Sequence, residues 1–474
     1  MSFPPKKTGS YKTPAQLLGI EEFAFTNSGI TSVDLSSSKI ETISYGAFEN
    51  CYNLQSITLC NTIKNIGAYA FSGCNKLESI PLTDNIETIL QYAFYNCVAL
   101  KSMTFPTSLK TISNYSFYNC KEMNCIIKEN IETIGEYAFY QCSKLSSITL
   151  SSKLQKINSH TFYQCESLET VNFLEGELIT INSHAFYQCV SIRSIQLPTN
   201  LQTIGDYAFS RCENLKVTFN KNLSAIGWYG FASCTSLDTL KLPSNLKSIA
   251  SYAFFNCTNL VTLEIPSTVE GIGQCITKSC PKLTSIEVDP TNPYFANYQN
   301  DKVLYNKIFT TLVSFPANKT GYYQSPPQLI YIETDSFDET QITSVNLSLS
   351  KLDTINDNLF NECNTLQNII LCETIKSIGV SAFYKCTSLI SINIPNATER
   401  IGEFSFSDCT SLVTIILGSG VKNICENAFC NCLSLKCIYY YGVQPPAFEK
   451  NAFENISTSN AYVDATYALT SFAI

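Results

Sequence analysis

Twenty-two cysteines and two histidines are the residues of this 474-residue chain best suited to chemistry. Thiolates and imidazoles can hold zinc, pair as disulfides or act as nucleophiles. Their spacing argues against all three. Fifteen cysteines, at 51, 74, 97, 120, 142, 165, 189, 212, 234, 257, 280, 363, 386, 409 and 432, occupy one slot of a repeating phrase. A zinc site needs four converging ligands, whereas this ladder supplies one thiol per repeat along a line. Bridging consecutive rungs would distort every repeat. Buried free thiols serving as small hydrophobes are therefore expected. Cys60, Cys125, Cys275, Cys372, Cys425, Cys430 and Cys437 share no pattern. His160 and His184 fill a single slot in adjacent repeats, with no third ligand for a metal and no non-repeating nucleophile and acid for a triad. No metal, cofactor or catalytic residue is expected, and the function to look for is binding.

The elements that carry these residues follow from the repeat. Its phrase stands as Ile66-Gly67-Ala68-Tyr69-Ala70-Phe71-Ser72-Gly73-Cys74 and again as Ile204-Gly205-Asp206-Tyr207-Ala208-Phe209-Ser210-Arg211-Cys212. Its Phe recurs at 25, 48, 71, 94, 117, 139, 162, 186, 209, 231, 254, 337, 360, 383, 406, 429 and 453, with Thr277 in the one slot where it is lost. A spacing of 22 to 24 residues belongs to the leucine-rich repeats. Leu54-x-x-Ile57-x-Leu59 reads as a short strand, and Tyr69-Ala70-Phe71-x-x-Cys74 as one helical turn whose Ala, Phe and Cys face the core. Four large apolar residues per repeat, at roughly 1.5–3 kcal/mol each, fall short of the roughly 1–2 kcal/mol per residue lost on ordering two dozen residues. One repeat cannot fold alone, and a stack can. The fold class is a right-handed repeat solenoid of leucine-rich type, with parallel strands and short helical turns.

Between Cys280 and Cys363 the period fails, and Val303-Leu304-Tyr305 with Thr311-Leu312-Val313-Ser314-Phe315 reads as an inserted β-hairpin. The tail of this insert matches the N-terminus at an offset of 312: Ser314-Phe315-Pro316 with Ser2-Phe3-Pro4, and Lys319-Thr320-Gly321 with Lys7-Thr8-Gly9. The expected organisation is a remnant of such an insert at 1–20, a first block at 21–287, the hairpin segment at 288–330, a second block at 331–440 and a cap at 441–474.

Two surface features stand out. Two and one positions either side of Phe, rings recur in consecutive repeats: Tyr92 with Tyr95, Tyr115 with Tyr118, Tyr137 with Tyr140, His160 with Tyr163, and His184 with Tyr187, continued by Tyr207, Tyr229 and Tyr252. On a helical turn these pairs would stand exposed, and tyrosine is favoured at binding surfaces. They are the candidate binding residues, with a merely stiffening stack as the plainer reading. On the strand face the first outward position is Ser or Thr in most repeats, as at Ser56, Ser102, Thr170 and Ser194. That hydroxyl ladder could be a polar platform for protein or glycan, or could simply suit a crowded sheet.

The coils "IGxYAFxxCxxLxxIxLP", interrupted by Val288-Asp289-Pro290-Thr291-Asn292-Pro293-Tyr294-Phe295 and Leu312-Val313-Ser314-Phe315-Pro316, resemble the BspA-like leucine-rich-repeat surface antigens over nearly the whole chain. The resemblance implies display at the cell surface and adhesion to host matrix proteins, host cells or other microbes. A net charge of −8 with scattered lysines disfavours nucleic acid. No run reaches the roughly 18–20 apolar residues of a membrane helix, so no membrane insertion is expected, and no signal segment is legible in the chain. An intracellular interaction scaffold is the rival reading.

Overall fold

The computed structural model describes residues 8–126, 129–456 and 462–463. The readings on Ser2-Phe3-Pro4, on Lys7 and on most of the cap beyond residue 456 lie outside the described residues. The chain forms two compact units, one running to Leu237 and including Pro243–Ile249, the other comprising Asp238–Leu242 and everything from Ala250. The division falls inside the first run of repeats and not at the insertion.

In the N-terminal unit the Leu-x-x-Ile phrase forms short parallel strands, among them Gly29–Asp34, Ser56–Thr58, Ser147–Leu150 and Thr170–Phe173. Val33 lies opposite Ile57, and Ile148 opposite Val171, all pointing into the core. The alternate residues Ser56, Ser102, Thr170 and Ser194 are exposed, as period-two geometry requires. A second parallel ladder of two-residue strands follows: Thr42–Ile43, Asn65–Ile66, Thr88–Ile89, Thr111–Ile112 and Thr133–Ile134. The Ile of Ile-Gly is a strand residue with its side chain fully buried, as at Ile66 and Ile204. Two residues are too few to display a strand period.

The expected helical turn is absent. Among the described residues the only helical segment is the 3-10 turn Tyr298–Asn300. Around each Phe the backbone instead enters the left-handed region twice, at Phe−2 and Phe+2, as at Tyr92 (φ 58°) and Asn96 (φ 58°). These reversals send alternate amides in different directions. Ala93 donates within its own coil to Leu90 O and Cys97 to Phe94 O, whereas Tyr92, Phe94 and Asn96 donate to Asn114, Ser116 and Tyr118 of the next coil. A helix would have kept all of them local. The turn segment is thereby a third line of main-chain hydrogen bonds between coils.

Phe and Cys form the core columns. Phe25, Phe48, Phe71, Phe94, Phe117, Phe139, Phe162, Phe186, Phe209 and Phe231 stack face to face with centroids 4.8 to 5.5 Å apart. Ladder cysteines place their Sγ against the Phe carbonyl of the preceding coil, for example Cys74 Sγ to Phe48 O at 3.1 Å and Cys142 Sγ to Phe117 O at 3.3 Å. That carbonyl already accepts the amide of its own coil's cysteine, as in Cys51 N to Phe48 O. The thiol is thus a small apolar filler that also donates to a buried acceptor. None of the 22 cysteines forms a disulfide. Burial raises the thiols of Cys74, Cys120, Cys165 and Cys189 well above the usual range, and those of Cys212 and Cys432 to about 12.

A column of alternating charge runs outside the short strands. Glu41, Lys64, Glu87, Lys110 and Glu132 are joined coil to coil through Lys64 N to Glu41 O and its successors. Asp353, Lys376, Glu399 and Lys422 repeat the pattern in the C-terminal unit, where Lys422 Nζ lies 3.0 Å from Glu399. Exposed pairs are worth only about 0–1 kcal/mol each, but like charges on neighbouring coils would repel. The alternation therefore favours one registration of the stack.

The C-terminal unit has the same two ladders, with strands such as Thr262–Ile265 paired to Ser285–Val288 and Ser391–Ile394 paired to Thr414–Leu417. The inserted segment is a three-stranded antiparallel meander: Phe295–Ala296 on Leu304–Asn306, and that on Thr311–Ser314. Its last strand pairs in parallel with Tyr331–Ile332 and so leads back into the repeats. Buried Tyr305 donates to Asp301 Oδ2 and shares a 2.9 Å hydrogen bond with the Tyr323 hydroxyl. Thr277, where Phe is lost, pairs its hydroxyl with Ser314 at 2.9 Å. Lys278 Nζ then reaches Asp335 at 2.8 Å and Asp338 at 3.2 Å, tying the coil before the insert to the coil after it. The offset of 312 is visible in the backbone. Gly9 (φ 89°) and Gly321 (φ 86°) each sit at a register shift in equivalent strand pairs, a conformation that only glycine adopts cheaply.

Two outcomes test this packing. Phe139→Ala, between Phe117 and Phe162, is expected to cost about 3–5 kcal/mol in denaturant unfolding. In native protein a thiol reagent should modify the half-buried Cys275, Cys430 and Cys437 first and reach the remainder only as the chain unfolds; rapid labelling of the whole set at neutral pH would refute the buried ladder.

Candidate binding surface

Apart from Tyr252, which belongs to the C-terminal unit, the aromatic residues singled out from sequence lie in the N-terminal unit, and the structure brings them together as two adjoining columns. The first runs Tyr69, Tyr92, Tyr115, Tyr137, His160, His184, Tyr207 and Tyr229, with neighbouring centroids 4.4 to 4.9 Å apart. The second runs Tyr95, Tyr118, Tyr140, Tyr163 and Tyr187 at 4.5 to 4.9 Å. Within one coil the two rings are tilted and 5.5 to 5.9 Å apart. Beside them, at Phe+2, lies a row of amides: Asn119 Nδ2 donates to Asn96 Oδ1 at 2.8 Å, Gln141 Nε2 to Gln164 Oε1 at 2.8 Å, and Gln164 Nε2 to Gln188 Oε1 at 3.1 Å.

One expectation is corrected. Tyr92, Tyr95, Tyr115, Tyr118, Tyr137, Tyr140, His160, Tyr163, His184, Tyr187 and Tyr207 do not stand free of the surface; each is half-buried. Helical geometry would have splayed them outward, whereas inter-coil stacking covers both faces of each interior ring. With both faces of an interior ring covered, its partial exposure falls at the ring edge.

The backbone beneath the first column carries a cost. From Tyr69 to Tyr229 its residues have φ between 52° and 58°, a conformation that costs a non-glycine residue roughly 1–2 kcal/mol and is rare for bulky side chains. The turn itself has no need of a ring there. In the C-terminal unit the same slot, with φ between 52° and 58°, holds Tyr252, Cys275 and Phe404 but also Asp335, Asn358, Ser381, Asn427 and Asn451, five short polar residues that tolerate this region. The left-handed slot was missed in the sequence reading. The Asn and Asp residues of the second block, and Gly46 in the first, were its available signal.

His160 and His184 sit inside the first column, stacked at 4.6 Å. Burial, with His184 beside it, lowers His160 to about 4, and its Nδ1 is buried without a hydrogen-bond partner. Burial also lowers His184, opposed by the nearby Asp206 carboxylate; its Nδ1 lies 2.8 Å from Ser183 Oγ. Both imidazoles are neutral at pH 7. Among the described residues no three His, Cys, Asp or Glu side chains converge as metal ligands, and no helix is long and apolar enough to cross a membrane. A shallow polar groove of about 410 Å³ opens beside Thr170, Asn172, Phe173, Ser194 and Gln196, away from the rings.

Stacked parallel coils of this length define a leucine-rich-repeat solenoid, whose class is that of repeat binding proteins. The chain belongs to the BspA-type leucine-rich repeat family: the model for the BspA type leucine rich repeat region matches residues 3–98, 64–180, 179–303 and 330–460. Among solved structures, the pneumococcal vaccine antigen PcpA is 22% identical over 77% of this chain and 84% of its own, with a TM-score of 0.53. A leucine-rich repeat protein from Bacteroides ovatus is 23% identical over 93% of this chain and 91% of its own, with a TM-score of 0.43. A leucine rich cell surface protein from Faecalibacterium prausnitzii is 21% identical over 92% and 88%, with a TM-score of 0.45. No curated protein matches the sequence significantly.

The histidines set a pH response. Their folded pKa values lie below the unfolded value of about 6.5, so the unfolded chain binds more protons between the two and stability rises with pH across that window. The contribution is complete above about 6.5 and is lost as the pH falls towards 4. Urea unfolding at pH 7 and pH 5 should show the N-terminal unit weakened at pH 5, and His160→Phe with His184→Phe should flatten the difference. An unchanged pH slope in the double variant would rule out the pair as its source.

Proposed function

We propose that the protein is a non-enzymatic adhesin, displayed at the cell surface, that attaches to host extracellular-matrix proteins, host cells or other microbes through the aromatic strip of the N-terminal unit. One observation carries the reading: rings are retained in a strained left-handed slot that the same chain fills elsewhere with Asn, Asp and Ser. Strain that the fold does not require is a pointer to function. Membership of the BspA-type family supports surface display and protein ligands, and a repeated strip suits many weak contacts acting together. A second reading, an intracellular interaction scaffold, is favoured by 22 cysteines that form no disulfide, since oxidising compartments promote disulfides.

Replacing Tyr115, Tyr118, Tyr137 and Tyr140 together with Ser is expected to reduce attachment of the purified protein to immobilised matrix proteins and epithelial cells at least tenfold, with the circular-dichroism spectrum retained. Attachment equal to that of the unaltered protein would remove the strip from consideration. Absence of any attachment, with no labelling of intact cells by an impermeant reagent, would favour the scaffold.

A further inference from the structure

We infer that the aromatic strip of the N-terminal unit binds an uncharged, extended polysaccharide lying along the columns. This rests on the strip being the binding surface and adds the chemical class of what it holds.

Three features of the strip select the ligand. First, interior ring faces are already covered by their neighbours, so a ligand meets ring edges and phenolic hydroxyls, of which those of Tyr118 and Tyr140 also bond each other and keep capacity as donor or acceptor. Second, the flanking row at Phe+2 is built from amides, as in Asn119, Gln141 and Gln164. Hydroxyls and amides beside ring edges match the hydroxyl-rich, partly apolar surface of a sugar chain. Third, the rows lack formal charge from Tyr95 to Tyr187. Burial pushes the Tyr140 phenol up to about 12 and keeps both histidines neutral at pH 7. A charged partner would meet only isolated charges beside these rows, Glu136 near Tyr115 and Arg211 near Tyr163, of opposite sign.

Spacing separates a sugar chain from an extended peptide. The second column repeats every 4.5 to 4.9 Å. A strand presents like-facing residues every ~6.7 Å and would leave register with the column within a few residues. A chain of six-membered rings joined through oxygen advances roughly 5 Å per sugar, given single bonds of about 1.5 Å. Where successive sugars alternate their faces, like faces recur roughly every 10 Å and meet every second coil of the second column, and affinity should then grow with chain length.

The test uses the full chain and isothermal titration calorimetry with chitohexaose and cellohexaose, two neutral hexamers, alongside their dimers, a sulfated heparin hexamer and a Ser/Thr/Asn-rich dodecapeptide. At least one neutral hexamer should bind at least tenfold more tightly than its dimer. Tyr118→Phe, Tyr140→Phe and Tyr163→Phe combined keep the stacked rings and remove only the hydroxyls; this variant should lose at least tenfold in affinity, whereas Tyr384→Phe in the C-terminal unit should lose none. The inference is overturned if neither neutral hexamer binds, if the triple variant binds as well as the unaltered chain, or if the peptide or heparin binds in their place with the same tyrosine dependence. Matrix and cell attachment measured on the same preparations keeps the two readings apart: tyrosine-dependent attachment without sugar binding defeats the polysaccharide alone, and loss of all attachment defeats the adhesin.

Discussion

Each coil can bury its apolar residues only by laying them against the same residues of its neighbours. The Phe column shows this constraint most directly: rings about 5 Å apart in nearly parallel planes set the height of a coil. Strand spacing in a parallel sheet is similar, ~4.8 Å, so ring stacking and main-chain pairing agree on one repeat distance. The Cys slot serves the same requirement. A thiol is small enough to leave the rings their stacking distance, and it donates to a Phe carbonyl of the preceding coil. Stability in such a molecule is built mainly from nearest-neighbour terms.

The left-handed positions at Phe−2 and Phe+2 follow from the same constraint. They turn alternate amides towards the adjacent coil and convert a segment that might have been helical into a further ladder. The two units meet the backbone cost differently. One places mainly tyrosine and histidine at Phe−2 and recovers stacking energy between rings; the other, apart from Tyr252, Cys275 and Phe404, uses residues that tolerate the conformation. Because both choices build the same turn, the difference concerns the surface that the turn carries. Neutral imidazoles within the column belong to that choice as well, since a charged ring would have to be held half-buried beside its twin.

The insertion shows how far the stack tolerates interruption. Its final strand joins the short-strand ladder, Thr277 and Ser314 pair where a ring is missing, and Lys278 meets two aspartates beyond the insert. The equivalent glycines Gly9 and Gly321 mark the same strand entry twice in one chain, consistent with an internally duplicated unit.

Much of this was legible in the order of residues alone. Periodicity identified the coil, its long strand, the buried Phe and Cys columns, the inserted hairpin and the slots where rings recur, because each of these reflects a local pattern repeated against itself. What periodicity misjudged was conformation within the coil: the Tyr-Ala-Phe segment has helical spacing, and the two-residue strand of Thr-Ile is too short to betray itself. Those were decided by hydrogen bonds to residues some 22 positions away, such as Phe94 N to Ser116 O. The candidate surface divides along the same line. Sequence alone determined which residues share a row; tertiary structure decided that the rings stack, lie half-buried and offer edges instead of faces, because only the contact between coils fixes how one ring meets the next.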